Sequence, residues 1–79
     1  MHYELIDQLL AFARRNDLLF KYYIDSNPKV YTFKFQDQGK TWVYFRSFSQ
    51  DQLDSCNCSI TYFVDEIIST LKKKVPNLI

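Results

Sequence analysis

Between Tyr3 and about Asn16 the apolar residues Leu5, Ile6, Leu9, Leu10, Phe12 and Ala13 recur at three- and four-residue steps, which gathers them on one face of a helix. Glu4, Asp7, Gln8, Arg14 and Arg15 take the other side. The acid in the first turn and the arginines in the last complement the helix dipole, and Asn16-Asp17 supplies a stop. From Leu18 the period drops to two. Leu18 to Asp25 places Phe20, Tyr22 and Ile24 on one face of a strand and Leu19, Lys21 and Tyr23 on the other. Ser26-Asn27-Pro28 reads as a turn, since proline fixes its own backbone angle and restricts the residue before it. Val30 to Gln36 is a second strand with Tyr31, Phe33 and Phe35 on one face, and Thr41 to about Phe48 is a third.

The only glycine, Gly39, lies between the second and third strands. A two-residue Gln38-Gly39 loop would demand positive φ at glutamine, so a three-residue Asp37-Gln38-Gly39 loop with Gly39 in the left-handed region is expected. That loop pairs Gln36 with Lys40. It sets Thr41, Val43 and Phe45 on the core face with Tyr31, Phe33 and Phe35, and turns Trp42, Tyr44 and Arg46 outward with Thr32 and Lys34. A one-residue change of register would turn Trp42 and Tyr44 inward instead.

Ser49 and Gln52 have the spacing of a capping box, enough for a short helical turn over Ser49 to Asp54. After a capping region at Ser55 to Cys58, Ile60, Phe63, Val64, Ile67, Ile68 and Leu71 mark the apolar face of a second long helix. Lys72 to Lys74 close it and Pro76 prevents its continuation. The order helix, three strands, helix predicts one two-layer α+β domain over residues 1–79, with a three-stranded antiparallel sheet and two helices on one of its faces. The other face stays open unless a second molecule covers it.

Composition narrows what such a domain does. Leu, Ile, Val and Phe make 25 of the 79 residues, enough apolar surface for a folded core. A chain this short has little room for an enclosed substrate cavity beside that core, which argues against an enzyme. The formal charge of +1 gives no global field toward nucleic acid or an anionic membrane. The longest apolar run, Leu9 to Ala13, falls far short of the roughly 20 residues that cross a bilayer. With no signal-peptide pattern, cytoplasmic residence is the expectation.

The chemical candidates thin out quickly. Cys56 and Cys58 are one residue apart, too close for a useful mutual disulfide, and a zinc site needs four ligands while His2, the only histidine, is at the far end of the chain. No serine or cysteine has an evident base partner. Asp65 and Glu66 are adjacent on a helix and point about 100° apart, so they do not share a proton and read as a solvated helix face. Asp51 and Asp54, three apart, fit an exposed cap region. No catalytic residue, metal or cofactor is expected.

The element order resembles that of double-stranded RNA-binding domains, in which a lysine cluster at the start of the second long helix grips phosphates across a groove. This chain has Ile60, Thr61, Tyr62, Asp65 and Glu66 there, with Lys72 to Lys74 at the opposite end, so the resemblance is one of topology. The remaining signal is the outward set Lys34, Trp42, Tyr44 and Arg46, joined by Lys21 and Tyr23 from the first strand. Trp, Tyr and Arg dominate protein-interface hot spots, and near-neutral charge favours a protein partner or self-association. Single-stranded nucleic acid is the alternative, with rings stacking on bases and cations on phosphates. In size and style the chain resembles phage and mobile-element accessory proteins, including inhibitors of host proteins.

Overall fold

The computed structural model describes residues 3–55 and 60–79. The helical spacing of the first segment gives α1 (Tyr3–Arg15), which buries Leu5, Ile6, Leu9, Phe12 and Ala13. It ends where expected. The Asn16 amide returns to Phe12 and Ala13 carbonyls, the Asn16 side chain donates to the Phe12 carbonyl at 3.0 Å, and Asp17 turns the chain away at φ 56°. The Ile79 amide donates to Asn16 Oδ1 at 2.7 Å, so the last residue is tied to the end of the first helix.

β1 (Leu18–Ser26) and β2 (Lys29–Asp37) pair antiparallel over nine consecutive positions through the Asn27-Pro28 turn, whose peptide bond is cis. β3 (Val43–Ser49) pairs antiparallel with the other side of β2, giving the order β1-β2-β3. α2 (Gln50–Ser55) follows at once on the predicted capping box: the Gln52 amide donates to Ser49 Oγ, and the Ser49 amide to Gln52 Oε1. α3 (Ile60–Lys74) buries Phe63, Val64, Ile67 and Leu71. The two-layer α+β arrangement in the predicted order is the observed one. Of the capping region expected at Ser55 to Cys58, Ser55 is the last residue of α2 and residues 56–58 lie outside the described residues.

The core forms where the helices meet the middle of the sheet. Tyr31, Phe33 and Phe35 of β2 are all but inaccessible, Phe12 meets the Phe35 ring edge-on at 6.4 Å, and Phe63 meets Phe48 in the same way at 5.0 Å. Tyr31 has its hydroxyl inside this layer and donates it to Gln50 Oε1 at 2.7 Å, which removes the cost of burying it unpaired.

The β2–β3 register departs from the expected one. Gln36 pairs with Val43, Lys34 with Phe45 and Thr32 with Ser47, three positions away from a Gln36–Lys40 pairing. An odd displacement exchanges the faces of β3. Tyr44, Arg46 and Phe48 therefore point to the helices, and Val43, Phe45 and Ser47 point away from them. The cause is Asp37. Its carboxylate accepts hydrogen bonds from the Thr41 amide at 2.6 Å, the Trp42 amide at 3.1 Å and the Thr41 hydroxyl, while its carbonyl takes the Lys40 amide at 3.0 Å. These bonds hold a longer loop than a three-residue turn. The left-handed residue is Lys40 at φ 57°, and Gly39 has no positive φ. Phe45, expected in the core, is an exposed residue, and Phe48 fills the core position on β3 instead.

Two expectations follow. Phe33→Ala should cost about 3–5 kcal/mol in urea unfolding, as for a buried aromatic, whereas Phe45→Ala should cost no more than about 1 kcal/mol. The Asp37 carboxyl is held below its ordinary pKa by the Thr41 hydroxyl; partial desolvation opposes this, and the Trp42 and Thr41 amides add to the lowering. A carboxylate with a lowered folded-state pKa contributes stability that is fully present above its unfolded-state value and is lost as pH falls through the folded one. The wild-type urea midpoint should therefore drop more steeply below about pH 4 than that of Asp37→Asn, which should be the less stable protein at neutral pH.

Candidate functional site

The residues of the open face alternate with those of the core. Leu19, Lys21, Tyr23 and Asp25 come from β1, Val30, Thr32, Lys34 and Gln36 from β2, and Val43, Phe45, Ser47 and Ser49 from β3. No described helix packs on this side. On its two outer strands, Leu19 and Tyr23 of β1 and Val43 and Phe45 of β3 are 36%, 46%, 48% and 55% exposed, high values for apolar and aromatic side chains in a small sheet.

Two lysines stand among them. Lys21 and Lys34 are direct cross-strand partners, a like-charge pairing that is unfavourable when nothing neutralises it. Lys34 Nζ lies 5.9 Å above the Phe45 ring, so part of its interaction is with the aromatic face. Lys40, from the loop that Asp37 organises, joins Leu19, Phe20, Lys21, Lys34 and Gln36 around an open depression of about 470 Å³. Beside it, the hydroxyls of Thr32 and Ser47 are 2.8 Å apart. The face thus offers apolar and aromatic side chains on β1 and β3 on either side of the polar central row Thr32, Lys34 and Gln36, with the Lys21–Lys34 pair between them. Asp25 is its one acidic position, and it lies at the far end of β1.

The predicted contact set divides between the two faces. Lys21, Tyr23 and Lys34 stand together on the open side as expected. Trp42, Tyr44 and Arg46 do not join them. Trp42 and Tyr44 are half-buried against the core, with Lys74 Nζ 5.9 Å from the Tyr44 ring centre. Arg46 forms an ion pair with Glu66 of α3 and stacks 4.5 Å from the centre of the Phe48 ring. Glu66, read from sequence as part of a solvated face, is thereby a link between α3 and β3. Both partners remain about one-third exposed, so the pair contributes about 1 kcal/mol at most.

Leu19, Val43, Phe45 and Lys40 complete the face and were not singled out from the sequence. A signal for them existed. On β3 the set Val43, Phe45, Ser47, Ser49 ends in two serines, while the alternate set ends in Arg46 and Phe48, and small hydroxyls suit a solvated face opposite Thr32.

Among the described residues, no group of three or more His, Cys, Asp or Glu side chains comes together, and His2, Cys56 and Cys58 lie outside them. No described helix is long and apolar enough to cross a membrane. Glu66→Gln should free Arg46 and lower stability by about 1 kcal/mol or less in urea unfolding, with the loss shrinking as salt is raised. No protein-family model, curated protein sequence or solved structure matches this chain.

Proposed function

We propose that the chain is a non-enzymatic protein-interaction module that docks through its open sheet face on an acidic, partly apolar surface of another protein. The observation that supports this reading is the exposure of Leu19 and Tyr23 on β1 and of Val43 and Phe45 on β3, on either side of a central row that holds Lys34 beside Lys21. The rings and aliphatic groups supply area to bury, and the lysines favour carboxylates on the partner. A module of this kind acts by covering part of a larger protein, the behaviour of the small accessory proteins of phages and mobile elements that the chain resembles in size. Single-stranded nucleic acid is a second reading. It is favoured by Lys21, Lys34 and Lys40 around one depression with Phe45 and Tyr23 nearby, since rings stack on bases and cations hold phosphates.

Pull-down from the native host with wild type, Phe45→Ser, Lys34→Glu and the helix-side control Ser69→Ala separates these readings from each other. A partner retained by wild type and the control should be lost by both face variants, each weakening it about tenfold or more. Retention of the same partner by Phe45→Ser and Lys34→Glu would show that the face is not the docking surface. A labelled single-stranded oligonucleotide should show no binding at low salt; binding that falls steeply as salt rises would instead establish the second reading.

A further inference from the structure

The two edges of the sheet are unlike. β3 carries the charged Arg46 toward the helix layer, where Glu66 engages it, and runs directly into α2. An inward-facing charge at an edge discourages another strand from adding there. β1 has no such guard. It is nine residues long, contains neither proline nor glycine, and pairs with β2 at every position without a bulge. Its helix-side row is apolar or aromatic from Leu18 through Phe20 and Tyr22 to Ile24, and ends in Ser26.

That row is also incompletely covered. Tyr22 and Ile24 point to the helix side yet are 47% and 37% exposed. Between them, Ile6 and Leu10 of α1 and Phe20 and Tyr22 of β1 line a groove of about 400 Å³ beside the free edge. An added strand would find both unpaired backbone groups along β1 and apolar side chains to pack against.

We propose that this edge pairs with a second copy of the chain, β1 against β1 in antiparallel register about a two-fold axis through Tyr23. The sequence of the strand is self-complementary in that register. Lys21 of each copy falls opposite Asp25 of the other, and Tyr22 of each falls opposite Ile24 of the other, an aromatic and branched pairing of the kind that stabilises antiparallel sheets. Shifting the axis to Tyr22 loses both matches, since Lys21 then meets Tyr23 and Asp25 meets Leu19. An axis perpendicular to the sheet keeps like faces together, so the result is one six-stranded sheet with helices on one side and a doubled open face on the other. Asp25 of each copy would also bring a carboxylate to the Lys21–Lys34 pair. This interface uses the edge and does not depend on what the open face binds.

Sedimentation velocity over a concentration series tests it with wild type, Lys21→Asp, Asp25→Lys and the double variant. Wild type should shift from monomer to dimer as concentration rises. Each single variant sets like charges opposite one another twice and should weaken the dimer about tenfold, while the double variant should restore it. Lys21→Asp removes a like-charge neighbour of Lys34, so it should not impair folding, which circular dichroism of each variant checks. Phe45→Ser should leave dimerisation unchanged. A wild type that stays monomeric throughout, or single-variant losses that the double variant fails to reverse, would overturn the proposal.

Discussion

One aspartate at the end of β2 decides which residues of this protein are inside it. The Asp37 carboxylate gathers the Thr41 amide, the Thr41 hydroxyl and the Trp42 amide, and so sets how many residues separate the last position of β2 from the first of β3. Because strand side chains alternate, the parity of that count is the parity of the whole third strand. With the loop held this way, Phe48 enters the core against Phe63, Arg46 meets Glu66, and Phe45 goes to the open face. The helix layer and the exposed face are both consequences of that count.

The same parity separates two kinds of aromatic residue. Phe12, Phe33, Phe35, Phe48 and Phe63 are buried and are joined into one network of ring contacts through the partly buried Phe20, the apolar area that a short chain needs to offset its conformational entropy. Tyr23 and Phe45 contribute nothing to it and stand with Lys21 and Lys34 on the uncovered side. Trp42 and Tyr44 are intermediate: they lie on the helix side, near the margin where α3 covers β3, and remain partly accessible there. A sheet of only three strands leaves margins of this kind unavoidably, and at β1 the margin includes a free edge.

Much of the architecture was legible in the sequence for reasons that are local. The helical spacing from Leu5 to Ala13, the stop at Asn16-Asp17, the Asn27-Pro28 turn and the Ser49-Gln52 box each depend on residues within a few positions of one another, and each formed as read. The alternation in β1 and β2 was equally plain, and Lys21, Tyr23 and Lys34 fall on the open face in consequence. The facing of β3 was not legible by the same means. Glycine suggested a short turn with Gly39 left-handed, but a side-chain acceptor at Asp37 stabilised a longer one and placed Lys40 at φ 57°. A multiply bonded carboxylate outweighed the backbone preference of a single glycine, and the resulting change of parity was enough to exchange Trp42, Tyr44 and Arg46 for Val43 and Phe45.

The most direct measurement is the cross-strand proton contact pattern of the β2–β3 hairpin by nuclear Overhauser spectroscopy. The register described here requires backbone contacts that join Gln36 to Val43, Lys34 to Phe45 and Thr32 to Ser47. Contacts joining Lys34 to Trp42 and Thr32 to Tyr44 would contradict it, and would return the tryptophan and that tyrosine to the open face.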